Sequence, residues 1–231
     1  LAAEEAPEWG YPARAMDQKD PDWRVQNVFL IAWKEFVPSA FKEELPPWMV
    51  AVVPKGHAGI AYVMPDASLM YAEFGGYGAA GKKGMGKVRR LRLLKKNSIR
   101  YNKDWKISNW SFIKKALRKN KLARNMFKTG PAHVAVLSGG DARKIHKWVL
   151  SNSKTQPYGL LSQKRFDGNK VNTKNLSKRE RMLSGGYNCA SWAAAAAAAG
   201  GVGHEALSKR AEMLAWPGAI INYSVNDNDE F

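Results

Sequence analysis

With a single cysteine in 231 residues, the chain has no partner for an internal disulfide and no set of thiolates for a Cys-based zinc site. The redox compartment therefore cannot be read from the cysteine count, and a free thiol is left to explain. Acids are scarce beside bases, 20 Asp and Glu against 37 Lys and Arg, for a formal net charge of +17. Long apolar runs are missing as well. Nothing approaches the ~18 uninterrupted apolar residues of a membrane-spanning helix, so the sequence reads as that of a soluble protein. The opening residues are acidic rather than a basic stretch leading into an apolar one, and no signal peptide is visible in them. At 45% hydrophobic residues the chain has material for a full core, and a single domain over 1–231 is expected.

The lone thiol stands in an unusual place. Tyr187-Asn188-Cys189-Ala190-Ser191-Trp192 runs into seven alanines and Gly200-Gly201. Asn188 is a good N-cap, Ala190 to Ala199 has high helix propensity, and Gly200 is expected to stop the helix as its C′ residue. Cys189 then opens the helix, where the dipole and the unpaired N–H groups favour thiolate over thiol and can hold an oxyanion. The plainer alternative is a small buried hydrophobe on a helix packed against a sheet.

The positive charge is concentrated. Lys82 to Lys128 holds 18 Lys and Arg and one acid, Asp104, so the remainder of the chain is close to neutral. Such a segment attracts polyanions: nucleic acid, anionic lipid headgroups or an acidic cell-wall polymer. Tyr101, Trp105, Trp110 and Phe112 are interleaved with the bases, as in binders of single strands. The helical recurrence of Ile107, Trp110, Ile113 and Leu117 favours a basic helical insertion with its aromatics turned to the core.

Val25 to Val37 is apolar enough for a buried element, and Trp48 to Val53, His57 to Val63 and Leu69 to Gly75 read as short strands. If Met64 to Ser68 is a five-residue hairpin loop, Val63 faces Leu69 and Gly59 faces Glu73. His57, Gly59, Ala61 and Val63 then share a face with Leu69, Tyr71 and Glu73, and His57 and Glu73 become diagonal neighbours. A slip of one residue would destroy that relation. Gly59 and Ala61 are expected to leave the face open beside the histidine, for another backbone or a substrate.

Two glycine motifs are decoys. Gly76 to Gly81 fits the dinucleotide spacing, but Lys82-Lys83-Gly84 follows instead of a helix; Gly81 to Lys87 fits the phosphate-loop spacing, but Val88 stands where Ser or Thr would hold magnesium. A flexible glycine-rich loop is expected there. Leu1 to Arg24 reads as an irregular arm. Pro131 to Leu137 reads as a strand containing His133, and Ser138 to Asp141 as the cap of an amphipathic helix containing His146; both histidines are expected to be structural. Asp167 to Arg181 reads as a loop or flap, Glu205 to Trp216 as a helix, Ile220 to Val225 as a strand and Asn226 to Phe231 as a polar tail.

Gly56-His57-Ala58-Gly59-Ile60-Ala61 opening a strand, a following strand ending Glu73-Phe74-Gly75, then Pro157-Tyr158, then Asn188-Cys189 opening a small-residue helix, resembles the circularly permuted branch of the NlpC/P60 papain-like superfamily, in which the His strand precedes the Cys helix. Within that branch the chain is similar to bacterial antagonism effectors of the type VI secretion kind. The resemblance covers Trp48 to Tyr77 and Pro131 to Gly200, and the basic segment falls outside it. It implies an α+β fold, a small antiparallel sheet packed on the Cys-bearing helix. It also implies Cys189 as nucleophile, His57 as base and Glu73 as the residue orienting that base, with no metal or other cofactor. The implied activity is cysteine-dependent amide hydrolysis of peptidoglycan stem peptides, with ester hydrolysis or acyl transfer on anionic phospholipids as the alternative on the same scaffold. The implied setting is the target cell's periplasm or envelope, with secretion-apparatus and immunity proteins as partners. A non-enzymatic polyanion binder working through Lys82 to Lys128 is the reading from another class, with nucleic acid a disfavoured but open partner.

Overall fold

The computed structural model describes residues 24–33, 56–75, 85–128, 130–154, 156–158, 161–162, 184–202 and 228–230. The expectations for the N-terminal arm, the strand at 48–53, the glycine-rich loop at 76–84, the flap at 167–181 and the helix and strand between 205 and 225 lie outside the described residues.

The described part is α+β. Strands β1 (Gln26–Trp33), β2 (His57–Val63), β3 (Leu69–Gly75), β4 (Met85–Leu94), β5 (His133–Ser138), β6 (Gln156–Pro157) and β9 (Asn228–Glu230) form one sheet in the order β6-β4-β3-β2-β1-β5-β9, with every neighbouring pair antiparallel. Strands β7 (Leu161–Ser162) and β8 (Ser184–Gly185) form a separate parallel pair. The helices are α1 (Trp110–Arg118), α2 (Ala142–Ser151) and α3 (Cys189–Ala199). β1 to β3 are almost wholly buried, as a sheet covered on both faces requires.

The β2–β3 hairpin has the register that its loop length and alternation dictate: Val63 opposite Leu69 and Gly59 opposite Glu73. Ala58, Ile60 and Tyr62 point to one face with Ala72 and Phe74. There Phe74 stacks on Trp192 of α3, ring centroids 6.1 Å apart, and the Tyr62 hydroxyl meets His146 Nδ1 of α2 at 2.9 Å. His57, Gly59 and Ala61 point to the other face, where β1 supplies Phe29, Ile31 and Trp33. That face is closed by the segment after β4: Trp110 packs edge-on against Phe29 and Phe127 edge-on against Trp33, both at 5.4 Å.

α3 lies across β2, β3 and β1 because its side chains are small, so its backbone can sit close to the sheet; Cys189 through Ala197 are all buried. Asn188 caps it as expected, accepting from the Ser191 N–H at 2.8 Å, and Ser191 Oγ returns the contact to the Asn188 N–H at 3.0 Å, completing a capping box. The stop differs by one residue from expectation. Gly200 is the C-cap and Gly201, at φ +82°, is C′; the Gly201 N–H bonds the Ala198 carbonyl and the Val202 N–H bonds Ala197, a Schellman ending. Gly200 is small for another reason: a Cβ there would lie 2.5 Å from the Ile145 side chain of α2.

The basic segment is not helical throughout. Leu, Arg and Lys all suit helices, yet Met85–Leu94 forms a ten-residue strand, because the open edge of β3 offers a full ladder of backbone partners and nonlocal pairing overrides local propensity. Gly86 and Val88 are buried along it, and Lys87, Arg90 and Arg92 are exposed. Among the described residues of the segment, only Trp110–Arg118 keeps the helical form, burying Ile113 and Leu117. Trp105, Trp110 and Tyr101 pack against the core, and Phe112 alone among these aromatics is strongly exposed, at 46%.

Candidate functional site

The site forms where the start of β2 meets the N-terminus of α3. Gly56, at φ +123°, turns the chain into β2 in a conformation that a side chain would resist, so that His57 begins the strand under the first turn of the helix. His57, Glu73 and Cys189 are 2%, 0% and 4% exposed, which places their charges in a medium that screens little.

The structure brings all three sequence-predicted residues together. His57 Nε2 lies 3.3 Å from Glu73 Oε2. The imidazole also shares a side-chain hydrogen bond with the Cys189 sulfur. Since Nε2 faces the carboxylate, Nδ1 is the nitrogen left for the thiol. Trp33 stacks on the imidazole at 6.2 Å and limits its rotation. His133 and His146 stand apart from this group: His133 lies in β5 opposite Ala32, and His146 bonds Tyr62.

Sequence reasoning missed the groups that hold Glu73 and Cys189. The Tyr71 hydroxyl donates to Glu73 Oε2 at 2.6 Å, and Arg89 donates to Oε1 through Nε at 2.8 Å and also through its terminal Nη2. Arg89 stands directly opposite Glu73 across the β3–β4 ladder. The only strand signal there is the short Arg90-Leu91-Arg92-Leu93 alternation, masked by the helix-favouring composition. Tyr71 was visible two residues before Glu73 on the same face. The space beside Gly59 is not open, contrary to expectation: the Tyr71 ring fills it, and a Cβ on Gly59 would meet the Tyr71 hydroxyl at 2.7 Å. The missing side chain thus lets Tyr71 cross to the carboxylate. On the other side of the site, the Tyr158 hydroxyl and the Ala58 N–H both bond the Cys189 sulfur.

The electrostatics follow from these contacts. Burial alone would push the His57 imidazole down, but the charge and hydrogen bond of Cys189, with the Glu73 carboxylate behind it, carry it up to about 9. Burial alone would raise the Cys189 thiol; the His57 charge and hydrogen bond, the Ala58 N–H and the Tyr158 hydroxyl reverse this and hold it below its ordinary value. Glu73, which burial would also raise, is held down by His57, Arg89 and Tyr71. A lowered thiol beside a raised imidazole shifts the pair toward thiolate and imidazolium, the state from which sulfur attacks an acyl carbon. Among the described residues no cluster of His, Cys, Asp and Glu is arranged to hold a metal ion.

The architecture and this site together define an α+β protein with a buried Cys–His–Glu constellation at a helix N-terminus. Its fold is similar to that of the type VI secretion system effector TseH, whose crystal structure superposes with a TM-score of 0.59 over 91% of this chain and 94% of that one at 15% sequence identity. No protein-family model matches the sequence. No curated protein matches it either.

Proposed function

We propose that this chain is a cysteine-dependent amide hydrolase of the permuted papain-like, NlpC/P60 kind, a type VI secretion effector that cleaves peptidoglycan stem peptides in the envelope of a target bacterium. One observation carries the reading: the lone cysteine, at a helix N-terminus, is hydrogen-bonded to a buried histidine whose far nitrogen meets a buried carboxylate. A structural hydrophobe has no use for that chain of groups. The likeness in fold to TseH supports the effector role.

In the proposed reaction the Cys189 thiolate attacks the amide carbonyl carbon. The oxyanion is received by the Cys189 N–H, which has no partner within its own helix, and by the neighbouring Tyr158 hydroxyl. Collapse breaks the C–N bond as the His57 imidazolium protonates the departing amine, leaving a thioester. His57, now neutral, takes a proton from water as it attacks the thioester, and collapse releases the carboxylic acid and restores the thiolate beside the imidazolium. Glu73 fixes the ring and stabilises its charged form, and Tyr71 and Arg89 fix Glu73.

The test is to incubate the protein and its Cys189→Ala variant with muropeptides and with anionic phospholipid vesicles and to follow both by mass spectrometry. Cys189-dependent cleavage of muropeptides is expected. Cys189-dependent release of fatty acid with intact muropeptides would move the substrate to phospholipid, and no cleavage of either would overturn the hydrolase reading in favour of a binding protein.

A further inference from the structure

The basic segment builds a second feature, which the proposed hydrolysis does not use. A groove of about 550 Å³ runs between β4 and the stretch from α1 to Leu122, within the range of roughly 300–1,000 Å³ typical of small-molecule sites. Its floor is apolar, from Leu91, Leu93, Leu94 and Leu122, with the half-exposed Phe112 at the edge. Its rim carries Lys115, Lys119 and Lys121, all exposed, and no acidic residue lines it. Asn120 also lines it, is 2% exposed, and uses Oδ1 to accept the Leu122 N–H at 2.9 Å; its Nδ2 has no hydrogen-bond partner. That nitrogen lies sealed beneath the groove surface, with no area open to a ligand.

We propose that this groove binds an anionic phospholipid of a bilayer surface. The lysines take the phosphate, and the leucines and Phe112 take an acyl chain. Charge complementarity selects the anionic headgroup, and the apolar floor selects a chain-bearing ligand over a free polyanion, which would need only the surface charge. Leu122 lines the groove and its carbonyl accepts from Arg89 at 3.2 Å, so the lipid would sit beside the residue that anchors Glu73. The proposal is independent of the hydrolase reading and is tested without turnover.

The experiment is sedimentation of the Cys189→Ala protein with vesicles of phosphatidylcholine alone and of phosphatidylcholine with phosphatidylglycerol. Binding to the anionic vesicles only is expected. Lys115→Glu/Lys119→Glu should weaken it more than about 25-fold, about fivefold for each positive charge lost near an anionic surface and more for each negative charge gained. Lys95→Glu/Lys103→Glu makes the same charge change at exposed lysines outside the groove and should cost far less. Phe112→Asp, at an exposed position that leaves the core intact, should weaken binding about tenfold. Equal loss in the two lysine pairs, indifference to Phe112→Asp, or no sedimentation would each overturn the proposal. So would tighter binding of a synthetic Leu- and Glu-bearing helical peptide that displaces the vesicles, since it would make the groove a protein-docking site.

Discussion

Replacing Glu73 by Gln changes one atom and leaves the shape almost untouched, yet its two oxygens cannot both be replaced in function. Oε1 accepts from Arg89 Nε and Nη2, while Oε2 accepts from the Tyr71 hydroxyl at 2.6 Å and faces His57 Nε2 at 3.3 Å. Whichever position the amide nitrogen takes, donors there face a donor. Hydrogen bonds to charged groups contribute about 1.5–3 kcal/mol, and stripping a partner from a buried ion pair costs about 3–5 kcal/mol. The Arg89 side chain is 32% exposed and can turn to water, so the lower end applies, and a loss of about 2–3 kcal/mol is expected at neutral pH. For a chain of this size that is a fall in Tm of roughly 5–10 °C. The pH dependence is the sharper test. Glu73 has its folded pKa depressed, so its stabilisation is present above its unfolded value of about 4.3 and is lost as pH falls through the folded one. Thermal unfolding of both proteins from neutral to acid pH should show the gap closing. Equal stability at neutrality, or a gap that does not change with pH, would refute the placement of an ionised Glu73 in this network.

Gly59→Ala puts a Cβ 2.7 Å from the Tyr71 hydroxyl and 3.1 Å from the Ala72 carbonyl; it should cost about 1–3 kcal/mol in urea unfolding and slow Cys189 alkylation by loosening Glu73 and so His57. Tyr158→Phe removes one hydroxyl bonded to the sulfur, and the thiol should titrate at a higher pH in the ultraviolet thiolate band while the fold, measured by circular dichroism, is unchanged.

The hairpin was legible in the sequence because its register follows from loop length and period-two alternation, both local. Those two facts were enough to set His57 beside Glu73. The helix start at Cys189 was legible for the same reason: caps and alanines act within a turn or two. What escaped was nonlocal. Arg89 belongs to a strand only because β3 presents an edge, and Met85 to Leu94 read in isolation favours a helix. Gly59 suggests open space in the sequence because alternation puts Tyr71 on the right face without showing that its ring turns toward the glycine. The contact between Cys189 and His57 joins residues distant in sequence through the packing of α3 on the sheet, and only the resemblance to papain-like enzymes, not the residue pattern, anticipated it.

The most direct measurement on the proposed Cys189–His57 pair is the rate of Cys189 alkylation by iodoacetamide as a function of pH, in the unmodified protein and in His57→Ala. In the unmodified protein the rate should rise at a pH below the ordinary thiol value of about 8.5 and change again near 9 as the imidazolium loses its proton. In His57→Ala burial is no longer opposed by the imidazolium, so the change near 9 should vanish and a single rise should move toward or above the ordinary thiol value. The same profile in both proteins would contradict the pairing of Cys189 with His57.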